Sequence, residues 1–300
     1  MIKRTRVVAV ANQKGGVGKT TTVVNLAAAL ARMRRTVLVV DLDPQANATS
    51  SLGLEKQPGI SMLSCLTGEM EIADAIQPTP YDNLNVIPSE IDLMAAEMEL
   101  ARREDRFGAV RAIIDPIRES QVFDYIIYDC PPSFGFLMTS ALAAADSILV
   151  PTQAEFLALE GLGNITTRVI EPLRESGAVP ASFGIDGVLL TMVDGRTLLA
   201  KQVAEEVRKH FGDVVYETQI PRNVRVSEAP SYGQPVVFFD PSSRGSEAYR
   251  AFAKEFAARN PTRFSKEELA QSQSEAPAVE SKPSAETTNV AEANQKEPVQ

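Results

Sequence analysis

Val10-Ala-Asn-Gln-Lys-Gly-Gly-Val-Gly-Lys-Thr-Thr-Thr-Val-Val-Asn-Leu26 continues an apolar run that begins at Val7 and opens into an alanine-rich helical pattern. The order strand, glycine loop, helix turns backbone N–H groups inward around an anion and adds the partial positive charge of a helix N-terminus. Gly15, Gly16 and Gly18 let the main chain approach phosphates with no Cβ in the way. Lys19 is placed to reach the β- and γ-phosphates, and the Thr20 hydroxyl to coordinate Mg²⁺, with Val17 and Thr21 completing the cradle. The usual phosphate-loop pattern asks for glycine five residues before the Gly18-Lys19 pair, and that position is Gln13. Beside it stands a second lysine, Lys14, five residues before Lys19.

Outward from this loop, apolar runs alternate with amphipathic stretches. Val37 to Leu42, Leu84 to Ile87, Tyr125 to Tyr128, Ser147 to Val150 and Ile185 to Val193 read as buried strands. Ala95 to Arg103, Val110 to Arg118, Leu157 to Arg174 and Leu198 to Phe211 read as helices between them. Such alternation predicts right-handed crossovers and an α/β fold, a doubly wound and mainly parallel sheet covered on both faces. The composition turns to Ser, Ala, Glu, Gln, Pro and Thr near residue 262. We therefore expect one folded domain over 1–262 and an acidic tail over 263–300, with roughly 268–300 too poor in apolar residues to order.

Composition narrows the class of function. With 44% hydrophobic and 23% charged residues, the 300-residue chain has a soluble globular character. No run approaches the roughly 18–20 apolar residues needed to span a bilayer, and Met1-Ile-Lys-Arg-Thr-Arg6 lacks a signal-peptide core, which predicts a cytoplasmic protein without membrane partners. Cys65 and Cys130 are too few and too far apart for a disulfide framework or metal knuckle, and His210 is the only histidine. Histidine acid–base chemistry is thereby set aside. Net charge is −9, but residues 265–300 carry three lysines and seven glutamates, leaving −5 on the first 264 residues. Basic residues gather between Arg196 and Arg263, so a local basic face is compatible with an acidic protein.

Two acidic strand ends join the glycine loop. Val39-Val40-Asp41-Leu42-Asp43-Pro44-Gln45 places two carboxylates at the carboxyl end of the next strand, where open α/β sheets bind ligands. Their i, i+2 spacing suits one for orienting metal or loop and the other for a water aimed at the γ-phosphate. Ile126-Ile127-Tyr128-Asp129-Cys130-Pro131-Pro132 ends an apolar strand on Asp129, the arrangement in which a carboxylate holds Mg²⁺.

Lys14-Gly-Gly-Val-Gly-Lys-Thr-Thr21, Asp41-Leu-Asp-Pro-Gln-Ala-Asn-Ala-Thr49 and Tyr128-Asp-Cys-Pro-Pro-Ser133 together resemble the deviant Walker A ATPases. Ile220-Pro-Arg-Asn-Val-Arg-Val-Ser-Glu-Ala-Pro-Ser231 and Asp240-Pro-Ser-Ser-Arg-Gly245 narrow the resemblance to the ParA/Soj partitioning ATPases, over residues 5–258. The resemblance implies ATP and Mg²⁺ as cofactors and a homodimer closed over two nucleotides. It implies that Lys14 reaches the partner's phosphates, as an arginine finger would, that Asp43 positions the hydrolytic water, and that Pro221, Arg222 and Asn223 lie near the adenine. Arg196, Arg222, Arg225 and Arg244 become candidates for non-specific contact with double-stranded DNA, with Lys201, Arg208 and Lys209 less favoured. A ParB-type centromere-binding protein is the implied partner, and the nucleoid the implied location.

Other branches of the superfamily fit less well. Septum-site relatives end in an amphipathic membrane helix, whereas this sequence ends in a polar Pro/Ser/Glu-rich stretch. Nitrogenase iron proteins need paired cluster cysteines, and tyrosine kinases a tyrosine-rich tail, but no Tyr follows Tyr249. The first strand begins within ten residues, so no N-terminal operator-binding domain is expected. A ParA-like ATPase that positions a protein cargo instead of DNA is the alternative reading.

Overall fold

A computed structural model describes residues 2–155 and 158–264. Most of the predicted tail, 265–300, falls outside the described residues. The strands are β1 (Ile2–Lys3), β2 (Arg6–Val10), β3 (Val37–Asp41), β4 (Gln77–Pro78), β5 (Leu84–Ile87), β6 (Tyr125–Asp129), β7 (Ser147–Gln153), β8 (Ile185–Thr191) and β9 (Arg263–Phe264). Seven of them form one sheet in the order β4-β5-β3-β6-β2-β7-β8, parallel throughout except for the antiparallel β4 edge. This is the doubly wound, mainly parallel sheet expected from the alternation of runs. β1 and β9 pair separately and antiparallel, joining Ile2 to Phe264 and Lys3 to Arg263.

Alternate residues of each strand feed two cores. Val7, Ala9 and Ala11 face one with Leu38, Val40, Ile126 and Tyr128, beneath the helices Ala109–Glu119 and Phe136–Ala144. Val8 and Val10 face the other with Val37, Val39, Tyr125 and Ile127, beneath α1 (Lys19–Arg32) and the helix Arg244–Arg259. Period-2 side chains on a strand buried on both faces must all be apolar, which is why these strands read as continuous hydrophobic runs. β2 lies between β6 and β7, and α1 carries the chain from β2 over β6 to β3. The connection from β6 to β7 runs the other way across β2. The strand order therefore reverses at β2, and the crevice at its carboxyl end is where such sheets bind ligands.

Leu198–Phe211 forms the helix predicted there. The stretch predicted as one amphipathic helix from Leu157 is instead three successive segments, Ala158–Ile165, a π-helical Thr166–Ile170 and Glu171–Glu175, with Pro172 heading the last. Among the described residues no helix is long and apolar enough to cross a membrane.

Candidate nucleotide site

The loop between β2 and α1 takes its shape from a few local bonds. Gly16 and Gly18 have φ of +72° and +90°, a region costly for residues with a Cβ. Gly15 has no such need, and a Cβ there meets nothing within 4 Å, so its glycine reads as open approach to the main chain. Asn12 buries its side chain, donating Nδ2 to the Pro151 carbonyl at 2.8 Å and accepting the Lys14 N–H on Oδ1 at 3.0 Å. Val17 is buried, and its carbonyl accepts the Thr191 hydroxyl at 2.8 Å, tying the loop to the end of β8.

Lys19 opens α1 and is buried, with Nζ donating to the Lys14 carbonyl at 3.3 Å. Burial lowers its pKa, while the charges of Asp129 and then Asp43 pull it back up. Thr20 and Thr21 follow in the first turn of α1, both half-buried. Asp129 ends β6 fully buried, and among the described residues neither carboxylate oxygen has a hydrogen-bond partner. Burial first, then the charge of Asp41, pushes its pKa well above the usual carboxylate range, and the Thr20 hydroxyl lowers it by less. A carboxylate that is buried and unpartnered is costly unless a cation or proton meets it. Among the described residues no three His, Cys, Asp or Glu side chains gather into a metal cage. A buried lysine, a threonine hydroxyl and one or two carboxylates fit Mg²⁺ held largely by phosphate and water, which is how that ion prefers to bind.

Asp41 and Asp43 are held in different ways. β3 ends at Asp41, so Asp43 lies two residues past the strand rather than beside Asp41 on one pleat. Asp41 Oδ2 accepts both the Thr49 N–H and the Thr49 hydroxyl at 2.8 Å, and its Oδ1 accepts the Asp43 N–H at 3.2 Å. Asp41 thereby pins the helix Asn47–Ser51 to the strand end. Burial, partly offset by these bonds, lifts its pKa to about 6. Asp43 accepts the Gln45 N–H on Oδ1 at 3.0 Å and is close enough to Lys19 and Asp129 to shift both. Lys19, Thr20, Asp43 and Asp129 therefore share one site.

Pro221, Arg222 and Asn223 line a cavity of about 200 Å³ beside the loop, with Gly18, Thr21, Met192 and Tyr249. Asn223 caps the short helix Val224–Glu228, accepting the Val226 N–H. A Cβ on Gly245 would strike Val226 at 2.3 Å, so this helix rests directly on the start of Arg244–Arg259. Arg222, Arg225 and Arg244 therefore lie on adjoining segments. The Arg222 N–H donates to the Val193 carbonyl at 3.2 Å, bringing the Arg196 loop alongside. Two of these arginines are locally neutralised: Arg196 forks onto Asp194 at 2.7 Å, and Arg225 meets Glu228 at 2.9 Å and Asp240 at 3.3 Å. Arg222 and Arg244 are exposed.

Lys14 lies at the exposed rim of the loop with Nζ 2.5 Å from Glu155 Oε2. Sequence reading missed Glu155, Asn12, Gln153 and Met192. The latter three act through main chain or sulfur, with Gln153 donating Nε2 to the Gly16 carbonyl at 3.1 Å and to Met192 Sδ at 3.0 Å. Asn12 was within the quoted stretch, and its short polar side chain two residues before Lys14 was the available signal.

Comparison with known proteins places this geometry. A family model described as an AAA domain matches residues 5–177. The sporulation initiation inhibitor protein Soj of Bacillus subtilis is 48% identical over 256 residues, 84% of this chain and 98% of its own length. The chromosome partitioning protein ParA of Caulobacter vibrioides is 46% identical over 262 residues, 87% of this chain and 97% of its own. Among solved structures, cobyrinic acid a,c-diamide synthase from Mycobacterium smegmatis with bound ATP analog and magnesium superposes with a TM-score of 0.74 at 36% identity, covering 86% of this chain and 97% of that one.

Proposed function

Since the chain belongs to the ParA/Soj partitioning family, we propose that it is a Mg²⁺-dependent ATPase that segregates chromosomal or plasmid DNA. One observation supports this most directly: the buried, unpartnered Asp129 carboxylate sits within electrostatic reach of buried Lys19 at the mouth of a glycine loop. Bound Mg²⁺ would supply charge neutralisation along the phosphates, held by Thr20 and Asp129 with Asp43 nearby. Gly15 to Thr21 receive the phosphates, Lys19 neutralises the β/γ oxygens, and Asp43 orients the attacking water. The cavity lined by Pro221, Arg222 and Asn223 takes the adenine. Lys14 reaches the phosphates of a second protomer, so hydrolysis is complete only in a dimer.

In that dimer Arg196, Arg222, Arg225 and Arg244 of both protomers face duplex DNA and bind it without sequence preference. A ParB-type protein on a centromere-like site stimulates hydrolysis and releases the dimer from the nucleoid. The measurement that tests the reading is ATP turnover of the full chain alone, with duplex DNA, and with DNA plus a ParB-type centromere-binding protein. Turnover should be slow alone and rise with both present, and Asp43→Ala should retain ATP on DNA without turning it over. Unchanged turnover with DNA and partner would refute the partitioning role and favour a positioning ATPase for another cargo.

A further inference from the structure

The segment at the end of β7 grips the phosphate loop at three points. Pro151 accepts from Asn12, Gln153 donates to the Gly16 carbonyl, and Glu155 pairs with Lys14. The first two shape the main chain of the loop. The third does not: it fixes the tip of a long side chain that is about half exposed, through a carboxylate equally exposed. Nothing in the loop backbone depends on where the Lys14 ammonium goes, since its N–H is already held by Asn12.

We propose that Glu155 is a positioning residue that holds Lys14 on its own protomer and so raises the concentration at which the nucleotide dimer forms. This rests on the reading above in which Lys14 serves the partner's phosphates. The competition is unequal in kind. The Glu155 pair is intramolecular and independent of protein concentration, whereas the partner's phosphates arrive only by encounter. Any stability of the pair must be given up as the dimer closes, and by two-fold symmetry it is given up twice. Exposed ion pairs of this kind shift equilibria by about 1.4- to 5-fold each, so two shift dimerisation by about 2- to 30-fold. Glu155 lies two residues past β7, on the same segment that supplies the Pro151 and Gln153 contacts to the loop.

The test uses the full chain with Mg·ATP, following dimer fraction against protein concentration by sedimentation velocity, and turnover alongside. Wild type, Glu155→Gln, Glu155→Asp, Lys14→Ala and the Lys14→Ala/Glu155→Gln double variant are compared, with thermal melts to confirm folding. Glu155→Gln should lower the dimerisation midpoint about 2- to 30-fold, and Glu155→Asp should stay near wild type. The gain should vanish on the Lys14→Ala background and shrink in about 1 M salt, where the screening length is roughly 3 Å. A Glu155→Gln midpoint equal to or above that of wild type overturns this inference, because Glu155 would then either be idle or brace Lys14 within the dimer. A wild type that never dimerises with ATP, or a Lys14→Ala that dimerises as wild type does, overturns the trans-lysine reading itself and this inference with it.

Discussion

Replacing Thr49 by valine should destabilise the protein and slow turnover together, although Thr49 touches no nucleotide position. Thr49 is fully buried, and valine keeps its shape while exchanging hydroxyl for methyl. The hydroxyl donates to Asp41 Oδ2 at 2.8 Å and accepts the Ser89 N–H at 3.2 Å. Valine removes a charge-assisted bond worth about 1.5–3 kcal/mol and leaves a buried N–H unpaired at about 1–3 kcal/mol. Partial relaxation leaves an expected loss of about 2–4 kcal/mol, or roughly 5–15 °C in Tm for a domain of this size. Thr49→Ser is the control, because it keeps the hydroxyl and gives up only one buried methyl, about 1 kcal/mol. Urea unfolding of the ligand-free proteins measures the difference, with a constant slope certifying that only stability has changed. Because Asp41 also accepts the Asp43 N–H, the valine variant should lose more in kcat than in nucleotide affinity. A Thr49→Val protein within about 0.5 kcal/mol of Thr49→Ser would refute the claim that this hydroxyl supports a buried carboxylate.

Three further outcomes follow from the same geometry. Asp41 has its folded pKa raised to about 6 from 3.8, so its contribution to stability is intact below about pH 4 and is lost as pH rises through 6. For this group alone the loss is on the order of 3 kcal/mol by pH 7, and ligand-free unfolding titrations from about pH 4 to pH 7 should show a decline that Thr49→Val steepens. Asp129→Asn replaces a buried carboxyl that no hydrogen bond satisfies, so the ligand-free protein should melt at or above the wild-type temperature while Mg-dependent stabilisation by nucleotide disappears in a thermal-shift assay. Gly18→Ala must adopt φ near +90° and should cost about 1–3 kcal/mol, whereas Gly15→Ala should melt within about 0.5 kcal/mol of wild type yet bind nucleotide less well by fluorescence titration.

What the sequence made legible was whatever has a local period or a local chemical signature. The helix Leu198–Phe211 carries polar and apolar residues in a clean 3.6 repeat, and its bounds are those read from the pattern. The helix Phe136–Ala144 buries eight of its nine residues, so the sequence carries no period that marks it. The glycine loop was legible because a turn of that shape needs those residues within ten positions of one another. Glu155 was not, because its bond to Lys14 joins residues 141 apart and nothing near either one marks the other. Asp41 and Asp43 are both legible as strand-end acids, but the different ways they are held depend on β3 stopping at Asp41 and on the chain doubling back at Thr49. Only the resemblance sets Pro221 to Asn223 near an adenine, and the Val193–Pro221 bridge is what brings them beside the loop.

The short β1–β9 ladder joins residues 2 and 3 to 264 and 263, at the end of the sheet away from the nucleotide loop. Mechanically this makes the folded chain a ring with a clasp. A pull applied through both ends would peel the ladder open one bond at a time, which is the weakest geometry a pair of strands can offer. The chain therefore enters at Ile2 and passes Phe264 side by side, on the face remote from the nucleotide loop.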